Sequence, residues 1–144
     1  MTHLAELKET LRKKGFRITK PRLAVIDVLR KAEKPLSPYD IQKRLNSDFK
    51  INTVTIYRIL NLFGKIGLVH RTHTKEGYVC CDSNKPGCHF LAICKKCGRK
   101  KEFTIKECAI LSLIPKDLPF KNIEHISEIA GICLSCSKSK NTYT

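Results

Sequence analysis

Four cysteines fall into two pairs, Cys94-Lys95-Lys96-Cys97 and, after 35 intervening residues, Cys133-Leu134-Ser135-Cys136. A two-residue spacer lets both sulfurs of a pair sit on one tight turn, about 2.3 Å from a metal ion, and four thiolates suit tetrahedral zinc. The gap is longer than in a compact zinc ribbon. A structural zinc here would clamp two distant parts of a small domain. A disulfide or a thiol redox pair is the competing chemistry for this spacing, and reduced thiols in a cytoplasmic protein favour the metal. A second group of side chains able to bind metal lies nearby: His70, Cys81, His89 and Glu102. Two imidazoles, a thiolate and a carboxylate form a mixed set that also suits tetrahedral zinc. By spacing alone, His70 reads equally well as a solvent-facing histidine and Cys81 as a small buried hydrophobe.

The elements that must position these groups change character along the chain. Thr2 caps a first helix with Leu4, Leu7 and Leu11 on one face, ending at Gly15. Thr19 caps a second helix with Pro21 in its first turn. Leu23, Val25, Ile26, Val28 and Leu29 supply its apolar side, and Pro35 closes it. Ser37-Pro38-Tyr39-Asp40 reads as an N-cap, a first-turn proline and a capping-box acid for a third helix with Ile41 and Leu45 inward. Asn52 caps a fourth helix, 53–63, with Ile56, Ile59, Leu60 and Phe63 buried and Gly64 as its left-handed stop. Two short β-prone runs, 67–71 and 77–81, then flank a polar turn. Helices followed by a hairpin describe a winged helix-turn-helix, whose fourth helix would enter the major groove of DNA.

The turn-rich stretch 82–87 marks a boundary between a DNA-binding domain, residues 1–83, and a second domain, residues 84–137, with a polar tail at 138–144. In the second domain, 90–93 and 101–104 read as strands around the first cysteine pair. Residues 107–113 read as a short helix, and 122–129 as a strand leading to the second pair. The fold class is therefore α+β: a winged helix-turn-helix followed by a small α/β domain with little core of its own, one that buries more by dimerising.

Twenty-eight Lys and Arg against 13 Asp and Glu give a formal charge of +15, which suits a polyanion such as nucleic acid. The excess is spread along the chain: residues 1–83 carry 17 basic and 8 acidic side chains, and residues 84–144 carry 11 and 5. No apolar run approaches the ~20 residues of a membrane span, and the first residues carry no long apolar segment. The expected location is the cytoplasm, with no membrane partner. No nucleophile–base pair or phosphate-cradling loop supports an enzyme.

Four segments carry a resemblance to the ferric uptake regulator family of metal-dependent repressors, and to its zinc uptake regulator branch in particular. They are 15–22 (GFRITKPR), 53–60 (TVTIYRIL) followed by Gly67-Leu68-Val69, His89 through Cys94-Lys95-Lys96-Cys97-Gly98 to Glu102-Phe103, and His125 through Gly131 to Cys133-Leu134-Ser135-Cys136. Together they span about residues 4–137. The resemblance implies a winged-helix domain hinged to an α/β dimerisation domain, a structural zinc on the four cysteines, and a sensory zinc on His70, Cys81, His89 and Glu102. That is about two Zn2+ per subunit. It also implies a homodimer on double-stranded operator DNA that represses zinc uptake genes, with no small-molecule substrate beyond the metal.

Departures from the family pattern bear on the metal. The HHDH-like run of iron- and peroxide-sensing members is Cys88-His89-Phe90-Leu91 here, and no histidine lies between Arg17 and Val69 to supply their DNA-domain ligand. Phe90 and Ala109 stand where partners of His125 occur in members with a further site, so His125 reads as structural or as a ligand alike. Thiolate with imidazole and few carboxylates favours zinc over ferrous iron or manganese. For DNA, Tyr57 and Arg58 are the expected base-reading side chains, with Lys20, Arg22, Thr53 and Thr55 at phosphates and the wing residues Arg71 and Lys75 within reach of them. The alternatives are a sister regulator of the same fold sensing iron, manganese or peroxide, a zinc-ribbon protein binding RNA or the ribosome, and a thiol redox enzyme. Cys80, Cys88 and Cys108 have no assigned role.

Overall fold

Capping chemistry sets the helix order. The computed structural model describes residues 2–45, 50–81, 88–106, 109–121 and 126–138. Helix α1 (Thr2–Lys13) ends in a Schellman motif: Gly15 has φ +79°, its amide bonds Arg12 O, and the Phe16 amide bonds Leu11 O. Helix α2 (Lys20–Lys31) is capped by the Thr19 hydroxyl, which accepts from the Arg22 amide. Helix α3 (Pro38–Arg44) carries the full capping box between Ser37 and Asp40. The Ser37 amide and hydroxyl both donate to the Asp40 carboxylate and hold it below the ordinary carboxylate range. Helix α4 (Thr53–Lys65) starts at Asn52, whose side chain accepts from the Thr55 amide at 2.8 Å.

The expected stop at Gly64 is corrected. The helix runs through Gly64 to Lys65, and Gly67 is the left-handed residue, with φ +78°. The Leu68 amide bonds Phe63 O and the Gly67 amide bonds Gly64 O, a second Schellman motif. Gly64 lies within a helical run and has no need of positive φ; Gly67 stands at the only point where the chain must reverse into the next strand. Two expectations for α1 are corrected: Thr2 lies within the helix and is not its cap, and Leu4 is 44% exposed although it shares a face with Leu7 and Leu11, because it stands in the first turn, beyond the core.

One apolar core joins Leu7 and Leu11 of α1, Val25, Ile26 and Leu29 of α2, Ile41 of α3 and Ile56, Ile59, Leu60 and Phe63 of α4. Strands β1 (Val69–Thr72) and β2 (Gly77–Cys80) form an antiparallel hairpin against it, with His70 opposite Val79 and Val69 opposite Cys80. The hairpin is tied to the α2–α3 connection by paired backbone bonds between Leu36 and Tyr78, at 3.1 and 2.8 Å. The buried Thr72 hydroxyl donates within the turn to the carbonyls of Lys75 and Gly77. This is the winged helix-turn-helix expected from the sequence.

Strands β3 (Cys88–Cys94), β4 (Lys100–Ile105) and β5 (Ile126–Gly131) form a second sheet in the order β4-β3-β5, antiparallel on one side and parallel on the other. Helices α5 (Ala109–Ser112) and α6 (Leu134–Lys138) are single turns. The α+β class is as expected, with strands longer than predicted at 90–93 and 101–104. Residues 82–87, where the domain boundary was expected, lie outside the described residues. So do Cys108, residues 122–125 (including His125) and residues 139–144.

Gly77 packs closely against the α2–α3 connection. A Cβ there would stand 2.9 Å from the Leu36 amide nitrogen and from the carbonyl carbon and Cβ of Pro35. Gly77→Ala must push the hairpin off residues 35–36. It is expected to lower stability by about 1–3 kcal/mol, as overpacking does, read as a fall in the urea unfolding midpoint; an unchanged midpoint would refute this packing.

Candidate metal centres and nucleic-acid face

The four paired cysteines converge. Cys94 ends β3, Cys97 follows on the turn to β4, Cys133 follows β5, and Cys136 lies on α6. Their sulfurs lie within 4.8 Å of one another, and all four are free thiols. Cys97 Sγ and Cys133 Sγ are 3.7 Å apart. A disulfide requires about 2.05 Å, whereas two sulfurs on a tetrahedral ion at about 2.3 Å stand about 3.8 Å apart. The spacing therefore fits an ion and not a bond between the cysteines.

Backbone amides complete the set. Cys97 N and Cys133 N point at Cys94 Sγ, at 3.5 and 3.3 Å, and Arg99 N points at Cys97 Sγ at 3.4 Å. Gly98, at φ +77°, turns the chain so that its own amide bonds Cys94 O at 2.9 Å. The amides of Cys133 and Cys97 draw the Cys94 thiol down to about 5, while the neighbouring thiols of Cys133 and Cys97 push Cys136 up to about 12. A metal ion bound by cysteines takes them as thiolates and releases their protons.

Three members of the mixed set also converge. Cys81, just past β2, is fixed by its amide bonding Leu68 O at 2.8 Å. His89 of β3 and Glu102 of β4 point from one face of the second sheet. Cys81 Sγ is 3.2 Å from Glu102 Oε1, and His89 Nδ1 is 3.5 Å from the same oxygen. Ligand atoms on a tetrahedral zinc stand about 3.4–3.6 Å apart, so these separations fit a shared ion. His70 lines the same cavity, without joining the three that lie within 4.8 Å of one another. The cavity is about 30 Å³, room for an ion or one water and too small for an organic ligand.

The face expected to meet DNA is open. Tyr57, 45% exposed, and Arg58 stand outward on α4, with Thr53 and Thr55 partly exposed beside them. Lys20 is exposed at the start of α2. Arg22 is partly committed, since its Nη1 donates to Arg17 O at 2.6 Å and braces the segment before α2.

One functional contact has no signal in the sequence. The wing turn does not project freely: the amides of His73 and Thr74 donate to the carboxylate of Glu128 on β5, at 3.0–3.2 Å. A cysteine pair announces itself by spacing, but a carboxylate meeting an amide 55 residues away does not.

A winged helix-turn-helix joined to a sheet that gathers two sets of metal-binding side chains defines a metal-responsive transcription regulator. Residues 13–129 match the model of the ferric uptake regulator family, and the chain belongs to that family. It is 30% identical over 138 residues to a ferric uptake regulation protein of Neisseria gonorrhoeae, covering 94% of this chain and 93% of that one. It is 31% identical over 145 residues to the peroxide operon regulator of Bacillus subtilis strain 168, covering 96% of each. Its fold is similar to that of a zinc uptake regulator solved in complex with zinc and DNA, with a TM-score of 0.74 at 25% identity, covering 94% of this chain and 93% of that chain. Family membership sets aside the RNA-binding and redox-enzyme alternatives. Among the described residues, no helix is long and apolar enough to cross a membrane.

Purified protein is expected to carry two zinc ions per subunit by elemental analysis, one removed readily by chelator and one retained. Cys81→Ser should lose the removable ion and keep the other; loss of both would place Cys81 in the structural clamp instead.

Proposed function

We propose that this protein is a zinc-responsive repressor that binds operator DNA as a homodimer and controls zinc uptake genes. The observation that carries the reading is the meeting of Cys81, His89 and Glu102 around one small cavity, with His70 on its wall. The relatives by sequence are named for iron and for peroxide, and the solved relative with zinc and DNA is named for zinc. The metal must therefore be argued from the donors. A thiolate with imidazoles and one carboxylate is softer than the oxygen-rich sets suited to manganese or ferrous iron.

In this reading His70 and Cys81 belong to the wing and its exit, and His89 and Glu102 to the second sheet. Zinc, when bound, supplies the charge that lets a thiolate and a carboxylate share one site. The four side chains then hold the recognition helix α4 at one angle to the sheet. In a dimer this sets the distance between the two copies of α4, and half-sites about one helical turn apart accept only a matching distance. Moving such an equilibrium from 1:99 to 99:1 takes about 5.5 kcal/mol of preference for the closed form. By linkage, DNA should tighten zinc binding by the same factor.

Support for the dimer comes from the other face of the second sheet. Phe90 and Phe103 stack there, with ring centroids 5.2 Å apart, and Phe103, Ile105 and Ile129 remain partly exposed, each by 40–45%. Together they form an apolar strip that a second copy would cover. Lys95, Lys96, Arg99, Lys100 and Lys101 follow one another in sequence around the first cysteine pair, where their charge would offset the net negative charge of zinc held by four thiolates.

A regulator of the same fold sensing iron, manganese or peroxide is the second reading, favoured by the names of the relatives at 30% and 31% identity. Fluorescence anisotropy on duplex DNA from zinc-uptake promoters separates the two. Zinc is expected to promote tight binding, chelator to reverse it, and Cys81→Ser to abolish the zinc response. Intact metal-dependent binding in Cys81→Ser, or equal binding with and without zinc, would defeat the proposal. Arg58→Ala should cost about 1–3 kcal/mol of specific affinity with zinc binding unchanged.

A further inference from the structure

We infer that Glu128 is a positioning residue that latches the tip of the wing to the second sheet and so prepares the metal site at the wing's base. Its effect on zinc rests on the switch proposed above; the latch itself does not. Both Glu128 oxygens accept from the His73 amide, at 3.2 and 3.0 Å, and Oε1 also accepts from the Thr74 amide at 3.1 Å. Successive backbone amides facing one carboxylate form a concave anion-binding turn, and hydrogen bonds to an ionised acceptor are stronger than neutral ones.

Register relates the latch to the metal set. Leu91 of β3 pairs with Glu102 of β4 on one side and with Glu128 of β5 on the other. The two carboxylates therefore lie in one row on one face of the sheet, two strand spacings or roughly 10 Å apart. Glu102 meets Cys81 at the base of the hairpin, while Glu128 meets the turn at its tip. A body held at one point can still swivel about it. A second attachment across the length of the hairpin fixes its angle. Two further contacts lie close by: the Lys100 amide bonds Glu33 O at 3.0 Å, and a Cβ on Gly98 would stand 3.7 Å from the side chains of Lys34 and Lys75. These bring the cysteine turn against the same edge of the winged helix, and neither requires a metal.

With the latch closed, Cys81 is already beside His89 and Glu102, and the cost of gathering them is met before zinc arrives. This is preorganisation, and it appears as affinity. In the full chain with the four-cysteine site filled, Glu128→Ala is expected to speed amide exchange at His73 and Thr74 by about tenfold or more. The α2 and α4 core amides of Leu29 and Ile56 should be unaffected. Zinc affinity at the second site, titrated against a competing chelator, should fall about tenfold. Glu128→Gln, which keeps one acceptor oxygen, should fall between; it decides the matter if the alanine variant unfolds and Leu29 and Ile56 lose protection.

Unchanged exchange at His73 and Thr74 would overturn the latch. Faster exchange with unchanged zinc affinity would overturn its positioning role. Should the second site take no zinc even in the parent protein, the zinc reading falls. Faster exchange of the two amides in Glu128→Ala, with or without Cys81→Ser, would still uphold the latch.

Discussion

A three-stranded sheet that buries almost nothing of its own must be held from outside, and the architecture follows from that shortage. Of its described residues, Ile93 and Cys94 are the only fully buried ones, whereas the winged helix closes a core running from Leu7 to Val69. Apolar burial cannot offset the ordering of so small a unit. Three other attachments share the task. The four sulfurs join the end of β3 to the segment after β5, the wing turn holds β5 and the α2–α3 connection holds the start of β4, and the apolar strip around Phe103 offers a face to a second copy. A unit stabilised through its contacts responds when those contacts change, and this makes it suitable as a sensor.

The two metal sets differ in how they are built. The cysteine set is local in pairs and surrounded by amides from its own turns. It would bind tightly and exchange slowly, as a structural ion should. The mixed set draws on β2's exit, β3 and β4, and His70 on β1 completes its wall. Its donors come from separate elements of the chain, so it forms only when the wing's exit and the second sheet are brought together. Connectivity is what distinguishes the two sets of side chains.

Much of this was legible in the residues because it is local chemistry. Thr19, Ser37 and Asn52 cap their helices as expected, since a hydroxyl or amide three residues before a backbone amide has little else to do. The cysteine pairs and the hairpin around residues 73–76 are equally local. What misled were choices between equivalent local options. Gly64 and Gly67 both offer a left-handed stop, and the Schellman bonds of Phe63 and Gly64 select the later one. Leu4, Leu7 and Leu11 all fit one helical stripe, and only Leu4, in the first turn, stands beyond the core. The docking of the wing on Glu128 was not legible at all, because no spacing rule links residues so far apart.

Strand β3 carries a donor of each set, His89 near one end and Cys94 at the other. Five residues of extended chain span roughly 16 Å, so the strand acts as a spacer bar between the two sets of side chains. Side chains alternate along it: His89, Leu91 and Ile93 face the winged helix, and Phe90 faces away. A slip of one residue would turn His89 outward and bring Phe90 in. The sulfur clamp pins that register at one end, through Cys94 and its parallel neighbour Gly131. The far end of the same strand thus sets the near one: the register held at Cys94 determines whether a histidine or a phenyl ring stands beside Cys81 and Glu102.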